Sequence, residues 1–111
     1  MRMEELEEDE KKILTVFINL MKEIKRDRSF TFLEKVEGGA GGFCIYKEDG
    51  KWITYTYEKG MKIGYREYDD LFSLCMDIFE ALDKESTDYC IEVFPELVNR
   101  VMNTNGNQKV R

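Results

Sequence analysis

The sequence predicts an α+β fold, in which an N-terminal helix precedes an antiparallel meander of three to four strands and two helices follow it. Residues 42–68 read GFCIYKEDGKWITYTYEKGMKIGYREY, a run rich in the aromatic and β-branched residues that strands favour. Two short polar runs that end in glycine divide it into three segments of strand length. Apolar residues recur at helical spacing on both sides. At 111 residues the chain provides for one core, so we predict a single domain over residues 1–102.

The first helix is predicted over residues 3–26, where apolar side chains recur three or four positions apart. Six acidic residues between Glu4 and Glu10 lie at the positive end of the helix dipole, which favours them there. A dock for a basic partner would also explain these acids, but a solvated helix start is the simpler interpretation. The apolar stripe consists of Leu6, Ile13, Leu14, Phe17, Ile18, Leu20, Met21 and Ile24.

A strand is predicted over residues 30–37, with one face made of Phe30, Phe32, Glu34 and Val36. The glycine-rich run that follows, residues 38–42, has neither the Walker spacing nor the strand–loop–helix context of a phosphate-binding loop. We therefore predict that it is a flexible connection between two strands.

The register of the meander decides which residues face the core, because a slip of one residue exchanges the two faces. We predict that both hairpins use three-residue loops that end in glycine, residues 48–50 and 58–60, since this register segregates the apolar side chains best. The buried face would then carry Phe43, Ile45, Ile53, Tyr55, Tyr57, Met61, Ile63 and Tyr65. The outer face would carry Cys44, Tyr46, Trp52, Thr54, Thr56, Lys62, Gly64 and Arg66, with Tyr46 across from Trp52.

A second helix is predicted directly after the meander. Asp69 and Asp70 supply the cap, and an apolar stripe at helical spacing begins at Leu71 and ends near Asp83.

A third helix is predicted to begin at Ser86 or Thr87, either of which can cap it. Pro95, the one proline of the chain, either kinks this helix or opens a new short one at its first turn. Residues 103–111 carry turn-forming residues and almost nothing to bury, so we predict a disordered tail.

The charge balance is acidic: Lys and Arg total 17 and Asp and Glu total 23, a net charge of −6. This disfavours nucleic acid and anionic membranes as partners, and it favours a basic partner or simply solubility. The first ten residues, MRMEELEEDE, are acidic where a secretory signal would be basic and then apolar. No run is long and apolar enough to predict a membrane span. We therefore predict a cytoplasmic protein.

The chain contains no histidine, which removes Ser-His-Asp and Cys-His activation of a nucleophile and the commonest transition-metal ligand. Cys44, Cys75 and Cys90 are widely spaced within apolar runs, so we predict buried thiols and neither a disulfide nor a metal site. The role of Cys44 stays open, because the predicted register places it on the outer strand face. We predict no cofactor.

Paired acids could serve a hydrolase, but the clusters of this chain lie at turns and helix starts, where acids are structurally favoured. Catalytic pairs must also converge inside a cleft, which this spacing does not indicate. We therefore predict no catalytic residues and no enzyme. The clusters are Glu48 with Asp49, Glu67 with Asp69 and Asp70, and Asp83 with Glu85.

A partner-binding surface is predicted on the outer face of the meander, because Trp, Tyr and Arg are the residues most enriched at interface hot spots. Acidic turns would rim this surface and complement a basic partner. The opposing interpretation is that a helix covers this face and Trp52 belongs to the core, and the residues alone leave both open. The predicted partner-binding residues are Tyr46, Trp52, Thr54, Thr56 and Arg66, rimmed by Glu48, Asp49, Glu67, Asp69 and Asp70.

The middle of the chain resembles a family of small acidic immunity proteins of bacterial polymorphic toxin systems, largely from Gram-positive bacteria. The resemblance is carried by CIYKEDGKWITYTYEKG from Cys44 and by GYREYDDLFSLCMD from Gly64. Its features are Cys-x-Tyr, a turn leading into Trp, a hairpin end that closes with Glu-Lys-Gly, and a cysteine in the following helix. The matching residues are Cys44, Tyr46, Trp52, Tyr55, Glu58, Gly60 and Cys75.

The resemblance implies an inhibitor that is made beside a secreted toxin, binds the toxin domain and blocks it without chemistry. Many such toxins are nucleases with basic active-site grooves, to which a negative inhibitor would be steered. The alternative is a non-enzymatic adaptor or regulatory homodimer that uses the same sheet face. Both a monomer and a homodimer fit the sequence.

Overall fold

One helix, a four-stranded sheet and two further helices follow each other along the part of the chain that the structure describes, which confirms the predicted α+β class. The computed structural model describes residues 1–38 and 42–110, with side chains described as far as Asn103. Short 3-10 turns precede and follow α1, at Met3–Glu5 and Asp27–Ser29. The elements are α1 Glu8–Glu23, β1 Phe30–Phe32, β2 Gly42–Glu48, β3 Lys51–Glu58, β4 Met61–Tyr68, α2 Leu71–Glu80 and α3 Lys84–Val110.

The sheet is mixed rather than antiparallel throughout. Its strand order is β1-β2-β3-β4, and β1 runs parallel to β2 while the other pairs are antiparallel. The predicted strand over residues 30–37 ends at Phe32 because Leu33 adopts a φ of 66° and turns the chain out of the sheet. Of the predicted connection at residues 38–42, residues 39–41 lie outside the described residues.

Both hairpins of the meander use two-residue turns, so the predicted three-residue loops are wrong. Glu48 pairs with Lys51 across Asp49-Gly50, and Glu58 pairs with Met61 across Lys59-Gly60. All four turn residues have positive φ, at 53°, 78°, 49° and 79° along the chain. Positive φ at both central positions is the mark of a type I′ turn, whose twist matches that of the flanking strands better than a longer loop does.

The shorter turns reverse β3 relative to the predicted faces. Lys47 lies opposite Trp52 and Ile45 lies opposite Thr54, so these residues share the face that the helices cover, the inner face. Tyr46 lies opposite Ile53 on the other side of the sheet, the outer face. One residue fewer in a hairpin loop moves every side chain of the next strand to the opposite side. Tyr46 and Trp52 therefore cannot form one surface.

A bulge in β4 moves Tyr65 and Arg66 to the faces opposite to those predicted. Thr54 pairs with Arg66 but Thr56 pairs with Ile63, so β4 contains one residue more than β3 between these pairs. Gly64 lies within this bulge with a φ of 68°, a conformation that glycine adopts without the strain a Cβ would bring. Ile63 and Arg66 consequently both lie on the inner face of the sheet.

The main core lies between the inner face and the three helices. Phe17 of α1 is fully buried at its centre, with its ring 5.5 Å from that of Phe79 in α2 and 6.4 Å from that of Phe94 in α3. Trp52 of β3 is also fully buried in this core. The interpretation that a helix covers Trp52 is therefore the right one. The other members with no exposed surface are Leu14, Met21, Leu74, Cys75 and Cys90.

A second, smaller core lies on the outer face. Cys44 and Tyr55 have no exposed surface there because residues 33–38 pass over the middle of the sheet. The Tyr55 hydroxyl donates a hydrogen bond of 3.0 Å to the carbonyl oxygen of Val36, and the Leu33 amide donates one of 2.6 Å to the carbonyl of Ile45. The segment therefore fills the role that a second layer of helices has in larger folds.

The helices after the sheet begin at aspartate caps. Asp70 accepts a hydrogen bond of 2.8 Å from the Ser73 amide, which confirms its predicted capping of α2. Asp83 accepts one of 3.1 Å from the Ser86 amide and lies 2.7 Å from Arg26. The third helix is therefore capped at Asp83 and begins at Lys84, and the cap lies three residues before the first of the two predicted caps, Ser86 and Thr87.

Pro95 lies inside α3, and the helix continues past it, so no new helix opens there. The backbone of α3 is assigned as far as Val110, while Arg111 and the side chains of residues 104–110 lie outside the description. The disordered tail over residues 103–111 stays a prediction.

Trp52→Ala should lower the free energy of unfolding by about 3–5 kcal/mol, because the large indole leaves a cavity in a core that cannot collapse fully. Urea unfolding followed by far-UV circular dichroism measures this loss. The matched control is Met61→Ala, whose side chain is 62% exposed, and it should change the value by about 0.5 kcal/mol or less. Equal effects of the two substitutions would contradict the buried placement of Trp52.

Candidate functional site

The carboxylate of Glu10 joins α1 to the sheet. One of its oxygens, Oε2, accepts hydrogen bonds from the Trp52 indole N–H at 2.9 Å and from the Lys47 ammonium at 2.7 Å. The other oxygen accepts from the Glu7 amide at 3.0 Å and so closes the first turn of the helix. The Glu10 side chain is only 15% exposed, so these bonds form where water competes weakly.

This contact places the acidic start of α1 beside the turn between β2 and β3. Met1 lines a shallow depression together with Tyr46 and Glu48, which brings the very beginning of the chain to the same place. Lys51 at the start of β3 forms an ion pair with Asp69 after β4, so that connection lies here too. We call this region the acidic end. It comprises Glu4, Glu5, Glu7, Glu8 and Asp9 before and within α1, Glu48 and Asp49 in the first hairpin, and Glu67, Asp69 and Asp70 around the end of β4.

The five predicted rim acids thus lie at one end of the sheet, but they differ in what they contact. Asp70 caps α2, and its two oxygens accept from the amide and hydroxyl of Ser73. Asp69 bonds Lys51, and this hydrogen bond lowers the pKa of Asp69. Glu48 bonds Lys35 at 3.1 Å, and this raises the pKa of Lys35. Asp49 and Glu67 are exposed.

The predicted aromatic and threonine group does not form one exposed surface, which corrects that prediction. Trp52 and Thr54 are buried on the inner face, and Tyr46 is buried on the outer face beneath the segment of residues 33–38. The Lys35 ammonium lies 5.8 Å from the centre of the Tyr46 ring, in a cation–π contact that caps it. These three side chains contribute to stability rather than to an open surface.

The two remaining residues of that group do converge, on the inner face. Thr56 and Arg66, together with the buried Thr54, line a cavity of about 270 Å³ between β3, β4 and the C-terminal half of α2. Asp77 of α2 lies at its edge, where it accepts a hydrogen bond of 2.9 Å from the Tyr68 hydroxyl and lies 3.8 Å from Arg66 Nη1. The apolar walls are Phe43, Ile63, Ile78 and Ala81.

The polar side chains that line this cavity are Thr54, Thr56, Arg66, Tyr68 and Asp77. Asp77 is its one carboxylate, and it already bonds Tyr68 and neighbours Arg66, so the lining contains no second acid with which it could share acid–base work. Among residues 1–38 and 42–103, no three His, Cys, Asp or Glu side chains are grouped so as to hold a metal ion. No helix of the described chain is long and apolar enough to cross a membrane.

All three cysteines are buried and free, as predicted. Burial raises the pKa of Cys75 well above its ordinary value and raises that of Cys90 to about 11. A thiolate is the reactive form of cysteine, so these two thiols are unsuited to nucleophilic work. Cys44, whose role the sequence left open, is enclosed in the outer core beside Tyr55.

Sequence reasoning missed the exposed residues of β4. Met61, Ile63 and Tyr65 are 62%, 45% and 47% exposed, although the predicted register assigned all three to the buried face. β4 forms an edge of the sheet, and a signal for this was present in the sequence, because the last strand of a meander has a partner on one side only. The Tyr65 ring stacks on that of Tyr55 at 6.2 Å, and its hydroxyl donates to Glu67 at 3.0 Å.

No family model, curated protein or solved structure matches this chain. No comparison therefore tests the resemblance to immunity proteins.

The Glu10 carboxylate should make stability depend on pH. Burial alone would raise the pKa of Glu10, but the hydrogen bonds from Lys47, the Glu7 amide and Trp52 outweigh it and lower the pKa. A lowered folded-state pKa contributes stability that is complete above the unfolded value of about 4.3 and is lost as the pH falls through the folded value.

Glu10→Gln should therefore lower the free energy of unfolding by about 1–3 kcal/mol at neutral pH, because Lys47 loses its charged partner. The difference between wild type and variant should shrink between about pH 5 and about pH 3. Urea titrations across this range measure it, and a difference that stays constant with pH would contradict the assignment.

Proposed function

We propose that this protein is an immunity protein, which binds a cognate bacterial toxin domain in the cytoplasm and neutralises it by steric and electrostatic blockade, without catalysis of its own. The observation that carries the proposal is the acidic end, where three segments distant in the sequence bring their carboxylates to one end of the sheet. The resemblance around Trp52 and the hairpins supports the same class of protein.

The electrostatic part of the blockade follows from how charge is distributed. The net charge of −6 is not spread evenly, because the acidic end gathers ten carboxylates and few lysines. Lys35, Lys47 and Lys51 form ion pairs there, and the remaining acids face solvent. Such a field accelerates encounter with a basic groove and disfavours acidic competitors. A toxin nuclease domain, whose groove binds phosphates, has the complementary charge.

The apolar part of the interface is assigned to β4. Tyr65 takes the anchoring role that the sequence suggested for Trp52, because it is half exposed, aromatic and next to the acidic Glu67. Its stacking on Tyr55 and its bond to Glu67 hold the ring in place before a partner arrives. Less side-chain entropy is then lost on binding.

The proposal predicts that a toxin-like C-terminal domain is encoded immediately upstream of this chain. Neutralisation is tested with that domain, expressed from an inducible promoter in a bacterial host. Co-expression of the wild-type chain should restore growth. Changing Glu48→Gln, Asp49→Asn and Asp69→Asn together should lower the association rate about tenfold at low salt, because the steering field weakens. Asparagine is chosen at position 49 because it tolerates the positive φ of the turn.

The matched control removes the same charge elsewhere, through Glu80→Gln, Glu85→Gln and Glu92→Gln on α2 and α3. All three are exposed and lie away from the acidic end. This variant should bind and protect like the wild type. Equal losses of association rate in both triple variants would contradict the assignment of the acidic end to the interface. A wild-type chain that neither binds the toxin domain nor restores growth would contradict the proposed function.

Tyr65→Ala should weaken binding to the same domain about tenfold or more, if the ring is a hot spot. The control is Tyr89→Ala, a tyrosine of α3 that is 37% exposed. Isothermal titration calorimetry measures both affinities, and circular dichroism verifies that both variants keep their fold. An unchanged affinity for Tyr65→Ala would remove β4 from the interface.

A further inference from the structure

The strand β4 has an unpaired edge along its whole length. It pairs with β3 on one side, and no described strand lies on the other. Of the five large hydrophobic side chains that are exposed in the described residues, three belong to it: Met61, Ile63 and Tyr65. An exposed edge strand with apolar side chains is a template for pairing with another chain.

The bulge at Gly64 restricts which strand can pair there. An ordinary strand added to β4 would meet one residue too many and would lose its register halfway along. A second copy of this chain carries the same bulge. When the two copies run antiparallel about a two-fold axis between Gly64 and Tyr65, the extra residues meet each other and pairing continues on both sides.

In this register, residues that lie opposite each other in the two copies point to the same face of the joined sheet. Lys62, Tyr65 and Glu67 point to the outer face, since Lys62 lies opposite Tyr57, Glu67 lies opposite Ile53 and Tyr65 stacks on Tyr55. Shifting the register by one residue would place outward side chains opposite inward ones.

Charge selects among the registers that keep the faces aligned. With the axis between Gly64 and Tyr65, Lys62 of each copy lies directly opposite Glu67 of the other. Two opposite-charge pairs form on the same face, which is the favourable cross-strand arrangement. A shift by two residues would place Lys62 opposite Tyr65 and lose both pairs.

We propose that two copies of this protein associate through β4 into a continuous antiparallel sheet, centred between Gly64 and Tyr65 and held by reciprocal Lys62–Glu67 ion pairs. The two four-stranded sheets then form one of eight strands. The association goes beyond the proposed function and does not depend on it, because the copies need no toxin in order to pair. The acidic ends lie at opposite ends of the joined sheet, and their acids other than Glu67 stay open to partners.

The test is sedimentation equilibrium of the full chain alone, from about 1 µM to about 1 mM. The wild type should shift from monomer to dimer within this range. Lys62→Glu and Glu67→Lys should each raise the dissociation constant about tenfold or more, because each creates two like-charge pairs. The double variant Lys62→Glu/Glu67→Lys should return the constant to within about threefold of the wild type, because exchanging the charges restores both pairs.

The matched control is Arg28→Glu, the same reversal of charge beside β1 at the opposite edge of the sheet. It should leave the dissociation constant unchanged. Circular dichroism verifies the fold of each variant, which matters for Lys62 because its ammonium lies 4.9 Å from the centre of the Tyr55 ring. A wild type that stays monomeric throughout, or single reversals that the double variant does not rescue, would overturn the proposal. Either result would leave the proposed toxin binding in place, because that binding requires no second copy.

Discussion

The rest of the structure depends on the carboxylate of Glu10. One side chain at the first turn of α1 accepts the indole N–H of Trp52 and the ammonium of Lys47, so it fixes the helix across two strands at once. A buried indole needs an acceptor, and a half-buried ammonium needs an anion. Because Glu10 meets both requirements, Trp52 can face the helices. The face of β3 that carries Trp52 is therefore the one that packs into the main core. The acidic start of α1 is brought to the turn of the first hairpin by the same contact.

The sequence was sufficient for those features that depend on local chemistry. The stripe around Phe17, the meander, the cap at Asp70 and the buried cysteines all follow from spacing and residue type. It was insufficient where a turn sequence allowed more than one loop length. Two-residue and three-residue turns both end in glycine at Gly50, and the apolar pattern favoured the longer one. The shorter type I′ turn is the one that places Trp52 beside Glu10 of α1. The parallel pairing of β1 likewise depends on how the chain crosses the sheet after Leu33, which periodicity does not encode.

The candidate site separates in the same way. The five rim acids could be predicted as a group because they occupy turns at one end of a meander, whatever its register. The sequence could not predict that these acids lie beside those of α1. The two regions are joined by a tertiary contact between residues that are about forty positions apart in the chain. Tyr65 and Trp52 exchanged roles: the sequence assigned the first to the core and the second to the surface, and the shorter turns together with the bulge at Gly64 reversed both.

The three cysteines are buried by different parts of the structure, so they become accessible to solvent through different motions. Cys44 lies in the outer core, against which Val36 of residues 33–38 packs, whereas Cys75 and Cys90 lie between helices in the main core. An alkylating reagent reaches Cys44 once the segment of residues 33–38 lifts from the sheet. It reaches Cys75 and Cys90 only when the helices separate. Alkylation of Cys44 therefore reports local opening, and alkylation of Cys75 and Cys90 reports global unfolding, so both can be followed without introducing a cysteine.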